Sequence, residues 1–160
     1  FLGLAGFLLF GDSHFLVLIA AVLGFLVWNW YKAKIFMGDV GSTLLGYNVA
    51  IFAIYYANSE PSGMWSWIIL FGLFWFDATL TLFRRYMNSE SLSIAHRKHA
   101  YQRLTQSGWG HDKVVLFSIF VNVVLFGLVY FLSNIYISFF TALAFLYVVV
   151  LYVDSKKKFE

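Results

Sequence analysis

Residues 114–153 read VVLFSIFVNVVLFGLVYFLSNIYISFFTALAFLYVVVLYV, a run of forty residues without an Asp, Glu, Lys or Arg. A membrane-spanning helix needs roughly 20 predominantly apolar residues, so this run is long enough for two helices. Ser133 and Asn134 interrupt it near the middle and predict the turn of a helical hairpin. The run does not alternate in polarity as a barrel strand would, and lipid offers the backbone no hydrogen-bond partners. These residues therefore predict transmembrane α-helices.

The rest of the chain has the same character. Hydrophobic residues make up 61% of it and charged residues only 12%, whereas a soluble domain has about 25% charged residues. We predict an all-α, polytopic transmembrane bundle in one membrane domain, with a partial N-terminal helix followed by about five full spans. The partial helix covers residues 1–10, and the spans cover residues 15–28, 40–57, 64–83, 114–132 and 135–153. The chain has no cysteine, which excludes disulfides and thiolate metal sites.

The basic residues indicate how the helices are oriented. If the chain changes sides at each predicted helix, all eleven Lys and Arg residues fall on one side of the membrane. Such an excess marks the cytoplasmic side. We therefore predict cytoplasmic loops at about 29–39 and 84–113 and a cytoplasmic tail at 154–160. The net charge of +3 is explained by this sidedness, and no nucleic-acid partner is predicted.

The first candidate site is the stretch FMGDVGS at residues 36–42, where a loop enters a helix. Glycines at a helix start leave backbone N–H groups open, which suits phosphate. A carboxylate such as that of Asp39 suits Mg²⁺, which prefers one or two carboxylates together with phosphate oxygens. In the alternative interpretation Asp39 is only a helix N-cap, and the glycines serve helix packing through Ser42 and Gly46.

The second candidate site is IAHRKHAYQRL at residues 94–104. If this segment is helical, His96, His99 and Arg103 lie on one face, with Arg97 on a neighbouring face. Imidazoles and guanidiniums together suit a pyrophosphate, whereas two histidines are too few for zinc. Gly108 would end that helix, and Asp112 would cap the next one. The alternative is a basic helix that rests on anionic lipid headgroups.

Asp77 is the third notable residue, because it lies about two turns inside a predicted span. A charged side chain at the centre of a span costs about 2.5–3.5 kcal/mol on insertion scales, so Asp77 should face the protein interior or a cavity. Thr81 and Arg84 follow on the same face and could share its hydrogen bonds. A packing role and a substrate role both remain open for this residue.

The motifs together resemble a known family. Asn29, followed after nine residues by Asp39 in FMGDVGS, and then HRKHAYQ at residues 96–102, are similar to the polyprenyl-phosphate N-acetylhexosamine-1-phosphate transferases, which form glycosyl transferase family 4. This family includes the bacterial enzymes that start O-antigen and other surface glycans, and the peptidoglycan translocase is a relative. The form of the histidine motif resembles the surface-glycan branch more closely. The resemblance runs over nearly the whole chain.

The resemblance implies an activity and its partners. The enzyme would transfer an N-acetylhexosamine 1-phosphate from a UDP-sugar to polyprenyl (undecaprenyl) phosphate and release UMP. Its setting would be the bilayer of the bacterial cytoplasmic (inner) membrane, where the lipid substrate stays embedded. Mg²⁺, with Mn²⁺ as the alternative, would serve as the cofactor, and Asp39 would bind it at the diphosphate of the sugar nucleotide.

The resemblance also implies roles for single residues. Phe36 would stack on uracil and Asn29 would contact the nucleotide. From their places in the two candidate sites, we also expect Ser42 and Arg103 to bind substrate. The diphosphate and the sugar would be held by His96, Arg97 and His99, and the two histidines are the candidate catalytic residues beside Asp39. Asp77 lies where family members carry an acid embedded in the membrane. We expect Asp39 to face the loop that holds both histidines.

One departure from the family pattern is large. The family also carries an adjacent aspartate pair and an Asn-x-x-Asp-Gly-x-x-Gly motif, and neither occurs here. Because the chain opens inside an apolar run, we expect it to be the C-terminal part of a longer protein, inactive without its N-terminal half. Two rival functions remain open. One is a transporter that uses Asp77 as an ion or proton site, and the other is a membrane anchor with a lipid-binding basic loop.

Overall fold

A computed structural model describes residues 1–30, 33–60 and 62–159. Lys32 of the first predicted loop, Pro61 of the predicted turn and Glu160 of the tail lie outside this part. The described residues form α-helices and no strand, so the predicted fold class is confirmed. The helices are α1 (Leu2–Phe10), α2 (His14–Asn29), α3 (Gly38–Ser59), α4 (Gly63–Leu70), α5 (Gly72–Met87), α6 (Ala100–Gln106), α7 (His111–Phe131) and α8 (Ile135–Lys156).

Several of these helices are suited to a membrane. In the described part of the chain, α3, α7 and α8 are each long and apolar enough to span one, and α4 with α5 would add a fourth span if counted together. The sequence predicts five spans, but α2 is a shorter apolar helix of 16 residues. Many large apolar side chains on these helices are exposed, among them Val27 and Phe131. The chain is an integral membrane protein.

The chain divides into two compact units, Phe1–Ile68 and Ile69–Glu160. In the first unit, Phe15, Tyr56 and Trp67 form an aromatic core. The turn before α2 is fixed by Asp12, which accepts hydrogen bonds from the backbone N–H of His14 and from the hydroxyl of Tyr56, both at 2.9 Å. The bond from the His14 N–H is the largest of the interactions that hold the pKa of Asp12 below its usual range.

The second unit is built on the hairpin of α7 and α8, with α5 packed against both. The predicted turn at Ser133 and Asn134 is confirmed, because the Asn134 side chain caps α8 by accepting from the N–H groups of its first turn. Within the hairpin, the buried hydroxyl of Ser138 donates to the carbonyl of Leu128 at 3.0 Å. This bond satisfies a polar group inside an otherwise apolar interface.

Three predicted boundaries are wrong. The helix expected over 64–83 is interrupted at Phe71, and α5 starts at Gly72, where an added Cβ would lie 3.0 Å from the Leu146 side chain of α8. The loop expected over 84–113 is shorter, since α5 runs on to Met87, α6 lies inside the segment and α7 begins at His111. The tail expected from residue 154 is partly helical, because α8 continues to Lys156.

Candidate active site

The N-terminus of α3 carries the candidate residues of the first unit. Gly38 starts this helix at a φ of +63°, a left-handed conformation that favours glycine. Asp39 lies in the first turn, and the N-cap position belongs to Met37. The alternative role of Asp39 as N-cap is therefore wrong. Among the described residues the Asp39 carboxylate has no hydrogen-bond donor and no cation as a partner, and it is exposed.

Three other predicted residues surround this helix start. The Asn29 side chain donates to the carbonyl of Ile35 at 2.8 Å and so ties the two ends of the loop before α3 together. The Ser42 hydroxyl lies 3.1 Å from the carbonyl oxygens of both Gly38 and Asp39. Its proton is therefore donated to the backbone of α3 itself. Phe36 is 89% exposed. Phe36 and Asp39 are thus the two groups here that are open to a ligand.

In the second unit, Asp77 organises the start of α6. Its Oδ1 accepts from the backbone N–H of Ala100 at 2.9 Å, and its Oδ2 lies 3.0 Å from Nδ1 of His99. Thr81 donates to the same carboxylate at 3.4 Å, as predicted. The prediction for Arg84 is wrong, because its guanidinium pairs with Asp154 instead. Asp77 therefore joins α5 to the histidine motif.

The loop before α6 is held by Arg85, whose guanidinium is almost fully buried. It donates to Glu90 at 3.2 Å and to the carbonyls of Ser91 and Ile94. These bonds keep residues 91–98 out of a helix. The expectation that His96 and His99 share a helical face is therefore wrong. His99 is the N-cap of α6, while His96 lies in the loop with its ring centroid 4.9 Å from that of His99.

The observed end of α6 and start of α7 agree only partly with those predicted from the sequence. Gly108 follows α6 with a φ of +94°, so the predicted glycine stop is confirmed. The predicted cap of α7 is wrong, since the N-cap residue is Gly110 and Asp112 lies in the first turn.

Burial and charged neighbours shift the pKa values of two groups in the loop before α6, His96 and Glu90. Burial is the largest cause that lowers the pKa of His96, and the neighbouring positive charge of Arg85 lowers it further. His96 is therefore neutral at neutral pH. Lys98 donates to Glu90 at 2.7 Å, and this bond is the main reason that the pKa of Glu90 lies below its usual range. Glu90 thus pairs with Lys98 and Arg85, as its place in a basic loop suggests.

Arg103 is buried and binds Asp154 together with the carbonyl of Lys157, the latter at 3.1 Å. The ring of Phe159 lies 5.3 to 5.5 Å from the charged groups of Arg84, Lys98 and Arg103. The end of α8 is thereby fastened to α5 and α6. Arg103 supports the site, because its Nη1 atom bonds to two groups at the end of α8.

An open cavity of about 260 Å³ lies beside these contacts. Its walls carry five cations and one amide, from Arg97, Lys98, Arg103, Gln106, Lys157 and Lys158. A cavity with this lining suits a phosphate or diphosphate group. The contribution of Lys157 and Lys158 could not be predicted, because no local sequence pattern connects the end of α8 with the histidine motif 60 residues earlier.

The carboxylates of the described residues show whether the predicted Mg²⁺ could be held. Over residues 1–30, 33–60 and 62–159, no three His, Asp or Glu side chains are grouped so that they could hold a metal ion. A Mg²⁺ ion needs fewer protein ligands, since one carboxylate and phosphate oxygens are enough. The open Asp39 carboxylate at a helix N-terminus fits that requirement.

Comparison with known proteins gives consistent results. Residues 2–57 match the sequence profile described as "Glycosyl transferase family 4". The chain is 39% identical over 103 residues to a probable undecaprenyl-phosphate N-acetylglucosaminyl 1-phosphate transferase of Bacillus subtilis, covering 63% of this chain and 29% of that protein. It is 33% identical over 125 residues to the decaprenyl-phosphate N-acetylglucosaminephosphotransferase of Mycobacterium tuberculosis, covering 69% and 31%.

A third relative is the phospho-N-acetylmuramoyl-pentapeptide-transferase of Sorangium cellulosum. The identity is 32% over 102 residues, which cover 61% of this chain and 25% of that protein. The chain thus spans less than a third of the length of these relatives. No solved structure matches it significantly.

Proposed function

Because the chain belongs to glycosyl transferase family 4, we propose that the full protein transfers an N-acetylhexosamine 1-phosphate from a UDP-sugar to a polyprenyl phosphate. An oxygen of the lipid phosphate attacks the phosphorus that carries the sugar. The bond from that phosphorus to the bridging oxygen breaks, and UMP leaves with that oxygen. The product is a lipid-linked sugar diphosphate that starts a cell-envelope glycan. The names of the Bacillus subtilis and Mycobacterium tuberculosis relatives, which contain a polyprenyl phosphate and N-acetylglucosamine, support this proposal.

The observation that carries the proposal is the exposed carboxylate of Asp39 at the N-terminus of α3. Most acids of the described chain are tied into hydrogen bonds, such as Asp77, Glu90 and Asp154, whereas Asp39 is not. The positive end of the helix dipole and the open N–H groups lie beside it. An acid in this position is suited to hold a cation against an anionic substrate. It lies inside the segment that matches the family.

Asp39 would hold Mg²⁺, which neutralises charge on the diphosphate when bound. Phe36, exposed two residues before Gly38, offers a face on which uracil stacks. The Asn29 carbonyl oxygen, which has no hydrogen-bond donor among the described residues, would accept from the nucleotide. Phosphoryl transfer depends mainly on positioning and on electrostatic stabilisation. These groups therefore bind and orient the sugar nucleotide.

The second unit carries its own cationic and imidazole side chains. Arg97 and Lys98 line the basic cavity with Lys157 and Lys158 and would bind a phosphate there. His96 is kept neutral by burial and by Arg85, so it is able to accept a proton or a hydrogen bond at neutral pH. His99 is fixed by Asp77. The two histidines would contact the diphosphate and the sugar.

The membrane setting follows from the lipid substrate. We place the basic loops and the end of α8 on the cytoplasmic side of a bacterial inner membrane, in agreement with the distribution of Lys and Arg. The transporter hypothesis finds no support, because Asp77 is engaged by His99, Ala100 and Thr81. A lipid anchor does not require the open carboxylate of Asp39.

The test is UMP release by the full-length protein in detergent, supplied with Mg²⁺, polyprenyl phosphate and UDP-N-acetylglucosamine. Asp39→Asn keeps the shape and removes the charge, and we expect turnover to fall by about 10²–10³, the usual effect of losing one electrostatic stabiliser. The matched control is Glu60→Gln, which removes a carboxylate just beyond the other end of α3. Omission of Mg²⁺ should abolish turnover, and Mn²⁺ should restore part of it.

Normal turnover in the Asp39→Asn protein, or equal losses in both variants, would overturn the role of Asp39. We also propose that the 160 residues by themselves give no lipid-linked product, because Asp39 alone is too little to align two anionic substrates. Product from this chain alone would contradict that statement.

A further inference from the structure

Resting on the proposed function, the geometry points to Asp77 as a positioning residue that fixes the tautomer of His99 and thereby its catalytic competence. Asp77 lies in α5 and His99 lies 22 residues later, at the start of α6. The carboxylate contacts the Nδ1 atom of the ring at 3.0 Å. Neither side chain is fully exposed, with 17% and 28% accessible.

The carboxylate is held from two directions. Oδ1 accepts from the backbone N–H of Ala100 at 2.9 Å, and Thr81 donates to the same oxygen at 3.4 Å. Oδ2 is left for His99. The backbone N–H of His99 is itself bound to the side chain of Gln102 at 3.2 Å. Both the backbone and the ring of His99 are thus constrained. Asp77 is the partner of Nδ1, and the rings of His96 and Tyr101 lie beside the imidazole.

This arrangement determines where the ring proton is. An ionised carboxylate only accepts hydrogen bonds, so Nδ1 of His99 must carry the hydrogen. In the neutral ring, Nε2 then has the lone pair and is able to accept a proton or hydrogen bond from substrate. A carboxylate that orients an imidazole in this way is a recurring device in enzymes.

The substitution Asp77→Asn separates this role from a purely structural one. The Asn carbonyl oxygen replaces Oδ1 as acceptor for the Ala100 N–H, so the start of α6 is kept. The amide NH₂ then faces Nδ1 of His99, which has to become an acceptor. The hydrogen of the neutral His99 ring is then carried by Nε2. The variant therefore retains the fold and changes His99 from the Nδ1–H to the Nε2–H tautomer.

The experiment uses the full-length protein with ¹⁵N-labelled histidine in detergent, at a pH well above the ordinary histidine pKa of about 6.5. The His99 signal is identified by its loss in a His99→Asn protein. We expect an Nδ1–H ring in the unmodified protein and an Nε2–H ring in Asp77→Asn. This spectroscopic result does not depend on any enzymatic activity. An unchanged tautomer in Asp77→Asn would overturn the proposal.

Kinetics provide the second measurement. We expect Asp77→Asn to lower kcat by about 10–100-fold, as for other residues that orient a functional histidine, with little change in KM. The same substitution in a His99→Asn background should cause no further loss. Thr81→Val, which removes only the outer contact, is the matched control and should retain most activity. Additive losses from Asp77→Asn and His99→Asn would overturn the proposal.

The two proposals fail in different ways. If UDP-sugars give no product with the unmodified protein, the proposed function is wrong, and the tautomer measurement still decides the relation of Asp77 to His99. If the protein is active and the tautomer does not change, the proposed function stands and the positioning role is wrong.

Discussion

Arg84 and Asp154, seventy residues apart in the sequence, form a two-pronged ion pair with N–O distances of 3.1 and 2.9 Å. The same carboxylate also binds Arg103, which is only 4% exposed. Asp154→Asn would leave two guanidiniums without their counter-charge. Removing one partner from a fully buried pair typically costs about 3–5 kcal/mol, and the cost is smaller here because a quarter of the Asp154 side chain is exposed. We therefore expect a clear fall in the midpoint of thermal unfolding, measured in detergent.

Asp112→Asn is the matched control, because Asp112 is an exposed acid in the first turn of α7. Its removal should shift the midpoint little. Equal shifts for the two variants would show that Asp154 has no special role in joining α5, α6 and α8.

A second prediction concerns close packing of α1 on α2. A Cβ added to Gly6 would lie 2.6 Å from the ring of Phe15, which is fully buried. Gly6→Ala should therefore destabilise the first unit by about 1–3 kcal/mol, as overpacking usually does. Gly24→Ala in α2 meets no atom within 4 Å and should be neutral or stabilising. The temperature at which residues 1–68 become susceptible to proteolysis would distinguish the two variants, and we expect it to be lower for Gly6→Ala.

A third prediction tests the backbone that precedes Asp39. Gly38 has a φ of +63°, and an alanine there is strained by about 1–2 kcal/mol. Gly38→Ala should lower the rate of UMP release, because it moves the start of α3 and with it the carboxylate. Gly46→Ala, also in α3 and without neighbours within 4 Å, should leave the rate unchanged. A fully active Gly38→Ala protein would mean that this geometry is dispensable.

A fourth prediction concerns pH. The pKa of His96 is lowered by burial and by Arg85, so the unfolded chain binds a proton at this residue more readily than the folded protein. Stability should fall as the pH drops below about 6.5, the ordinary histidine value. His96→Asn should flatten this dependence between about pH 5 and 6.5, above the range in which Glu90 takes up its proton. Unfolding midpoints across that range provide the measurement, and an unchanged slope would contradict it.

A fifth prediction concerns the basic cavity. Arg97→Gln removes one cation from the wall of the cavity. We expect it to raise KM for an anionic substrate more than it lowers kcat, because the electrostatic attraction for the substrate is weakened while the reacting groups stay in place. Lys113→Gln removes a cation that lies over Trp109, outside the cavity, and should change neither constant. Separate titrations of UDP-sugar and polyprenyl phosphate would show which substrate this cavity binds.

Sequence reasoning identified the features that depend on local pattern. The uncharged runs predicted the helices, and Ser133 with Asn134 predicted the turn because a capping Asn acts within three residues of itself. Gly38 and Asp39 were identified for the same reason, since a glycine and an acid at a helix start leave a local signal.

The errors come from contacts between distant residues. Residues 91–98 are kept from helix formation by the guanidinium of Arg85, which binds loop carbonyls. Asp154 looks like the start of a solvated tail, yet Arg84 and Arg103 bind it and α8 continues past it. No spacing rule links residues 51 or 70 positions apart, so neither partner of Asp154 was predicted.

The bridge at Asp154 also has a consequence for the order of synthesis. The ribosome makes Arg84 and Arg103 long before Asp154, at separations of 70 and 51 residues. While the hairpin of α7 and α8 is entering the membrane, the preceding segment therefore displays these two charges without their partner. An excess of Lys and Arg retains a segment on the cytoplasmic side during insertion. In the proposed orientation, Arg84 and Arg103 would act first as a topology signal, and Asp154 of the last helix binds them in the folded protein.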